Sequence, residues 1–105
     1  MDNIVESHWP FDDPPNVAVF TTNRIVREGY AILQVIHEDR DGDWQFLDGF
    51  NVTVADGSIV SLRNIVRNDP TILELADLPL GWFAERTDAG SPWVRAKMPP
   101  MTELE

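Results

Sequence analysis

A chain of 105 residues and 11.9 kDa is too short for two ordinary domains, yet long enough to bury roughly 65% of its unfolded surface in one core. A hydrophobic fraction of 43% with four Trp belongs to the globular class, and the absence of Cys excludes disulfides, thiolate metal sites and a Cys nucleophile. Eighteen acidic residues against eight basic ones give a formal charge of -10 and a sequence pI near 4.4, which opposes binding to nucleic-acid phosphates or anionic membranes and favours a basic protein partner.

The opening Met1-Asp2-Asn3-Ile4-Val5-Glu6-Ser7-His8 lacks the basic and apolar regions of a secretion signal, and the apolar run Val17 to Phe20 is far shorter than a membrane span. The expected location is the cytoplasm, where the Asn51-Val52-Thr53 acceptor pattern carries no glycan. Residues 1–15 end in Trp9-Pro10-Phe11-Asp12-Asp13-Pro14-Pro15, too proline-rich for a helix or a central strand. They read as an extended arm pinned by Trp9 and Phe11. A single domain is expected over residues 16–96.

Val17 to Thr22, rich in β-branched and aromatic residues, reads as the first strand. Arg24 to Glu28 forms one helical turn ended by Gly29. Tyr30 to Glu38 is the longest strand candidate, with apolar residues at both parities, so it is expected near the middle of a sheet and buried on both faces. Asp41-Gly42 between two apolar runs signals a hairpin into Trp44-Gln45-Phe46-Leu47, where Trp44 and Phe46 share a face.

A polar segment over residues 53–58 and Ile59-Val60 lead to Ser61, which caps a helix over Leu62 to Arg67 with Leu62, Ile65 and Val66 inward. Asp69-Pro70 opens a second helix that buries Ile72, Leu73, Leu75 and Ala76 and stops at Pro79. Trp82 to Arg86 and Pro92 to Arg95 read as a closing hairpin around Asp88-Ala89-Gly90, and residues 97–105 as a mobile tail. The resulting expectation is α+β: a small antiparallel or mixed sheet of four to five strands with two short helices on one face.

No motif in the chain carries a chemical signature. Asp39-Arg40-Asp41-Gly42-Asp43 resembles the start of a calcium loop, but the sixth position is Trp44 rather than Gly and the twelfth is Phe50 rather than Glu. His8 and His37 are the only imidazoles, Ser58, Ser61 and Ser91 lack a nucleophile context, and the six Gly are scattered singly. The reading is therefore of a non-enzyme without metal or cofactor. Trp is both a core filler and the residue most enriched at interface hot spots, so Trp82, Trp93 and Trp44, with the acids Asp39, Asp41 and Asp43, are the candidate partner-binding residues. The alternative is a regulatory domain that lodges a small molecule between sheet and helices.

Trp44-Gln45-Phe46-Leu47-Asp48-Gly49, Asp69-Pro70, Leu75-Ala76-Asp77-Leu78-Pro79-Leu80-Gly81-Trp82 and Pro92-Trp93 together resemble an uncharacterised family of small bacterial proteins, itself similar to immunity proteins of polymorphic-toxin systems. The resemblance runs from about Val17 to Arg95 and brings no catalytic residues. It implies a domain that blocks a toxin by binding it.

Overall fold

The computed structural model describes residues 9–99, so the first half of the expected arm and most of the expected tail lie outside the described residues. Along the chain run β1 (Ala18–Thr22), α1 (Asn23–Glu28), β2 (Gln34–His37), β3 (Trp44–Leu47), a 3₁₀ turn (Val54–Asp56), β4 (Gly57–Ser61), α2 (Leu62–Asn68), a 3₁₀ helix (Pro70–Leu75), β5 (Trp82–Glu85) and β6 (Val94–Lys97). The fold is α+β, with one six-stranded mixed sheet in the order β4-β1-β3-β2-β5-β6. Only the β1 and β3 pair is parallel; the other neighbours are antiparallel.

Local chemistry explains most boundaries. The Thr22 side chain accepts from the Ile25 amide to start α1, and Gly29 in the left-handed region ends it. Ser61 Oγ accepts from the Asn64 amide at 3.1 Å to start α2. The Asp69 carboxylate accepts from the Thr71 amide and hydroxyl, ahead of Pro70 in the first helical position. The β2 to β3 hairpin turns at Gly42, whose φ of 75° suits a residue without Cβ.

Ladder pairing gives each face its residues. Val35 opposes Phe46 and Ala84, and His37 opposes Trp44 and Trp82, on the inner face. There Val19, Val35, Trp44, Phe46 and Ala84 join Ile25 of α1, Leu62, Ile65 and Val66 of α2, and Ile72 and Leu75 of the 3₁₀ helix in a single buried cluster. The helical elements therefore share one face of the sheet. The arm closes the same cluster: Phe11 packs edge-on against Trp44 at 5.4 Å, and Trp9 lies 5.2 Å from Phe11.

Four expectations change. The segment Gly57–Ser61, expected only as a lead-in to the Ser61 cap, is strand β4: all five positions pair with β1, and Gly57 leaves room for the Phe20 ring. The second helix is 3₁₀ rather than α, and Ile72, Leu75 and Leu78 are buried at a spacing of three, the period of that helix, while Leu73 and Ala76 are half-buried. β2 begins at Gln34 rather than Tyr30. Ile32 and Val35, three apart, both face inward, which period-two alternation does not allow, and the Ile32 carbonyl accepts from the Arg86 side chain instead of a neighbouring strand. The last strand is shifted to Val94–Lys97, so Lys97 belongs to the sheet rather than to the tail.

Phe46 is completely buried and lies 6.1 Å from Trp44, whereas Ile59 is 66% exposed on the edge strand. Urea unfolding is expected to show Phe46→Ala costing about 3–5 kcal/mol and Ile59→Ala less than about 1 kcal/mol.

Candidate functional site

Three of the cations are bound into the frame. Arg86, 7% exposed, donates to the Ile32 carbonyl at 3.0 Å, to Thr71 Oγ1 at 3.2 Å, to the Ala89 carbonyl at 3.1 Å and to Asp69 at 2.5 Å, and its guanidinium lies 4.1 Å from the centre of the Trp93 ring. Arg24 pairs with the buried Asp48 at 2.7 Å and reaches Asp56 at 3.6 Å. Arg95 pairs with Asp77 at 2.6 Å on the surface.

The Asp48 carboxylate also accepts from the Thr22 hydroxyl at 2.9 Å and the Phe50 amide at 3.0 Å. Burial pushes the Asp48 carboxyl up, but hydrogen bonds from Arg24, Phe50 and Thr22 and the Arg24 charge together outweigh it and hold the group below the ordinary carboxylate range. These charged groups are structural partners of one another.

A further group of acids gathers around Arg40 at one end of the sheet. In the β2 to β3 turn the Glu38 amide donates to the Asp43 carbonyl at 2.8 Å and the Gly42 amide to the Glu38 carbonyl at 3.1 Å, which turns Asp39, Asp41 and Asp43 out to solvent. None of these three carboxylates is in an ion pair among the described residues. The arm joins the same end, because Trp44 Nε1 donates to the Asp13 carboxylate at 2.9 Å and Trp9 Nε1 to the Asp13 carbonyl at 2.6 Å. A shallow groove between the arm and the Leu78–Leu80 segment is lined by Asp12, Asp13, His37, Trp44 and Asp77. His37 is clamped there: its ring stacks on Trp44 at 3.8 Å, and Nδ1 donates to the Leu78 carbonyl at 2.7 Å, so Nδ1 carries the hydrogen.

The candidate residues named from the sequence divide accordingly. Asp39, Asp41 and Asp43 lie together on the hairpin tip, and Trp82 lies half-buried at the same end, opposite His37. Trp44 is 2% exposed and supports this end from within the core. Trp93 sits at the opposite end, half-buried over Arg86, with Nε1 donating to Thr71 Oγ1 at 3.3 Å.

The outer face of the sheet was missed. Phe20, Ile59, Ile36 and Phe83 share that face through their pairing with Gln45 and with one another. Phe20, Ile36, Leu47 and Phe83 are half-buried, while Ile59 and Val94 are largely exposed. The legible signal was the apolar content at both parities of β1 and β2.

Among the described residues no group of three or more His, Asp or Glu is arranged to hold a metal ion, and no helix is long and apolar enough to cross a membrane. No family model, curated protein or solved structure matches the chain.

The lowered Asp48 carboxyl gives a pH dependence with a definite sign. Its contribution is fully present above the unfolded-state value of about 4 and is lost as the pH falls through the lower native value. The urea midpoint of the wild type should drop more steeply on acidification below about pH 4 than that of Asp48→Asn. The variant should be less stable by about 2 kcal/mol at neutral pH.

Proposed function

We propose that this chain is a non-catalytic protein-binding domain that neutralises a basic partner in the manner of an immunity protein. The observation that carries the reading is the division of its charges. Arg24, Arg86 and Arg95 are engaged with Asp48, Asp69 and Asp77, while Asp39, Asp41 and Asp43 project together from the hairpin end beside Asp12 and Asp13. Such an end, where the acids outnumber Arg40 and Lys97 and leave a net negative charge, raises the encounter rate with a cationic surface and disfavours an anionic one.

Three further features support the reading. The hairpin end is held stiff by Trp44 and His37, so little ordering is needed on binding. The acids of the hairpin adjoin the apolar residues of the outer face, which supply a desolvated contact inside a polar rim. The residues that resemble an immunity-type family include the Trp44 strand and the Leu75 to Trp82 segment, both at this end. The reading puts the encounter in the cytoplasm, in keeping with a chain free of Cys.

The test begins with the tagged full chain in a host extract at low salt, where it is expected to retain one basic protein in stoichiometric amount. With that pair purified, the association rate should fall at least about tenfold between about 50 and 500 mM salt. The triple variant Asp39→Asn, Asp41→Asn, Asp43→Asn should slow association about threefold or more and leave dissociation nearly unchanged. An association rate indifferent to both salt and the triple variant would remove the basis of the proposal.

A further inference from the structure

We infer that the outer face of the sheet seats an amphipathic basic helix of the partner, lying along β2 and β5 with cations reaching Glu38 at one end and Glu85 at the other. The inference rests on the protein-binding reading above and specifies the element and the surface that meet.

An antiparallel sheet that shows one face to water alternates apolar and polar residues, so its outward positions are polar. Here the outward positions include Phe20, Ile36, Leu47 and Phe83, all half-buried, and Ile59 and Val94, 66% and 62% exposed, beside the polar Gln34, Gln45 and Glu85. The buried residues of α1, α2 and the 3₁₀ helix all belong to the inner cluster, so none of these elements covers the outer face. Apolar side chains gathered on an outward sheet face, interleaved with Gln34 and Gln45 and bordered by carboxylates, mark a contact site.

Charge selects the occupant. Glu38 belongs to the outer face because its carboxylate accepts from Gln45 Nε2 at 2.7 Å, and Asp43 borders the groove formed there by Ala18, Phe20 and Ile59. Glu85, paired with Gln34 and Val94, stands at the other end. No Lys or Arg occupies an outward position on any of the six strands. A second copy of the chain would set these carboxylates against their own counterparts, and an anionic bilayer would be repelled as well.

Geometry selects a helix. An extended segment laid across the face would bury amide groups without partners, whereas a helix satisfies its own backbone. Glu38 is four residues from Gln34, the partner of Glu85, so the two carboxylates are separated by about 13 Å along the strands. Two cations about nine residues apart on a helix rising 1.5 Å per residue span about the same distance along its axis and, two and a half turns apart, stand on opposite flanks of an apolar stripe.

The test follows the backbone amide resonances of the ¹⁵N-labelled full chain during titration with three synthetic peptides. The first is an amphipathic Leu/Ala helix with two Lys nine residues apart on the flanks of its apolar stripe; the second carries Glu in place of Lys; the third is a scramble of the first. The expected result is saturable binding of the first peptide, with the largest shifts at Ile36, Leu47, Phe83 and Val94. The Glu peptide should bind at least about tenfold more weakly, and the double variant Glu38→Gln, Glu85→Gln should weaken the Lys peptide about fivefold. Val94→Lys, at an exposed position, should weaken it comparably with the fold intact. Equal binding of the scramble, with shifts confined to Asp39–Asp43, would overturn the helix on the outer face and leave the basic-partner reading standing. Equal binding of the Lys and Glu peptides to the face would overturn both. Silence of the face amides toward every peptide, with signals of residues 1–8 responding to Val94→Lys, would assign the face to the chain's own N-terminal residues and overturn the inference.

Discussion

The guanidinium of Arg86 holds together pieces of the chain that share no ladder. From the end of β5 it ties the Ile32 carbonyl ahead of β2, the Asp69 and Thr71 cap of the 3₁₀ helix and the Ala89 turn, with Trp93 stacked over it. A buried cation is unfavourable unless paired and hydrogen-bonded, and here the pairing is what sets the geometry of its surroundings. The Ile32 carbonyl is the clearest case. Because a side chain takes that acceptor, the segment before Gln34 leaves the regular ladder and Ile32 turns into the core.

The same logic separates the two ends of the sheet. Asp69 balances the charge of Arg86, and the aromatic ring of Trp93 is used to cover the cation. At the hairpin end the acids outnumber Arg40 and Lys97, and the aromatic ring of Trp44 is used instead as a buried beam between Phe46, His37, Phe11 and Asp13. A surface that carries unbalanced charge needs a rigid base, since repulsion among neighbouring carboxylates otherwise spreads them apart. The arm contributes both a load and a brace: Asp12 and Asp13 add negative charge, while Trp9 and Phe11 anchor it.

Features set by neighbours in the sequence were legible: the Asp41-Gly42 hairpin, the Gly29 stop, the Ser61 cap and the Asp69-Pro70 start. Features set by neighbours in space were not. β4 has only two strand formers in Gly57-Ser58-Ile59-Val60-Ser61 and becomes a strand because β1 offers it an edge. The parallel register of Phe20 with Gln45 has no local signature at all. The 3₁₀ period of Ile72, Leu75 and Leu78 was present in the letters but is hard to tell from a helical stripe of 3.6 over so short a span. Of the candidate site, the tip acids were visible as a run, whereas their union with Asp12, Asp13 and Trp82 depends on the sheet order. Trp44 illustrates why residue type alone is ambiguous, since the property that makes Trp an interface anchor also makes it the best filler of a small core.

The insertion of β1 between β3 and β4 bears on how the chain is made. Among the described strands β1 emerges first, but both of its neighbours lie downstream, one of them beginning only at Gly57. β2 likewise gains its second neighbour only when Trp82–Glu85 is available. A nascent chain therefore carries two open sheet edges through most of its synthesis, with only the β2 to β3 hairpin closing locally. Exposure of unpaired edges is the ordinary route to misassociation, and the density of carboxylates between them keeps such intermediates apart by mutual repulsion. The formal charge of -10 thus opposes self-association of the open edges as well as setting the sign of the folded surface.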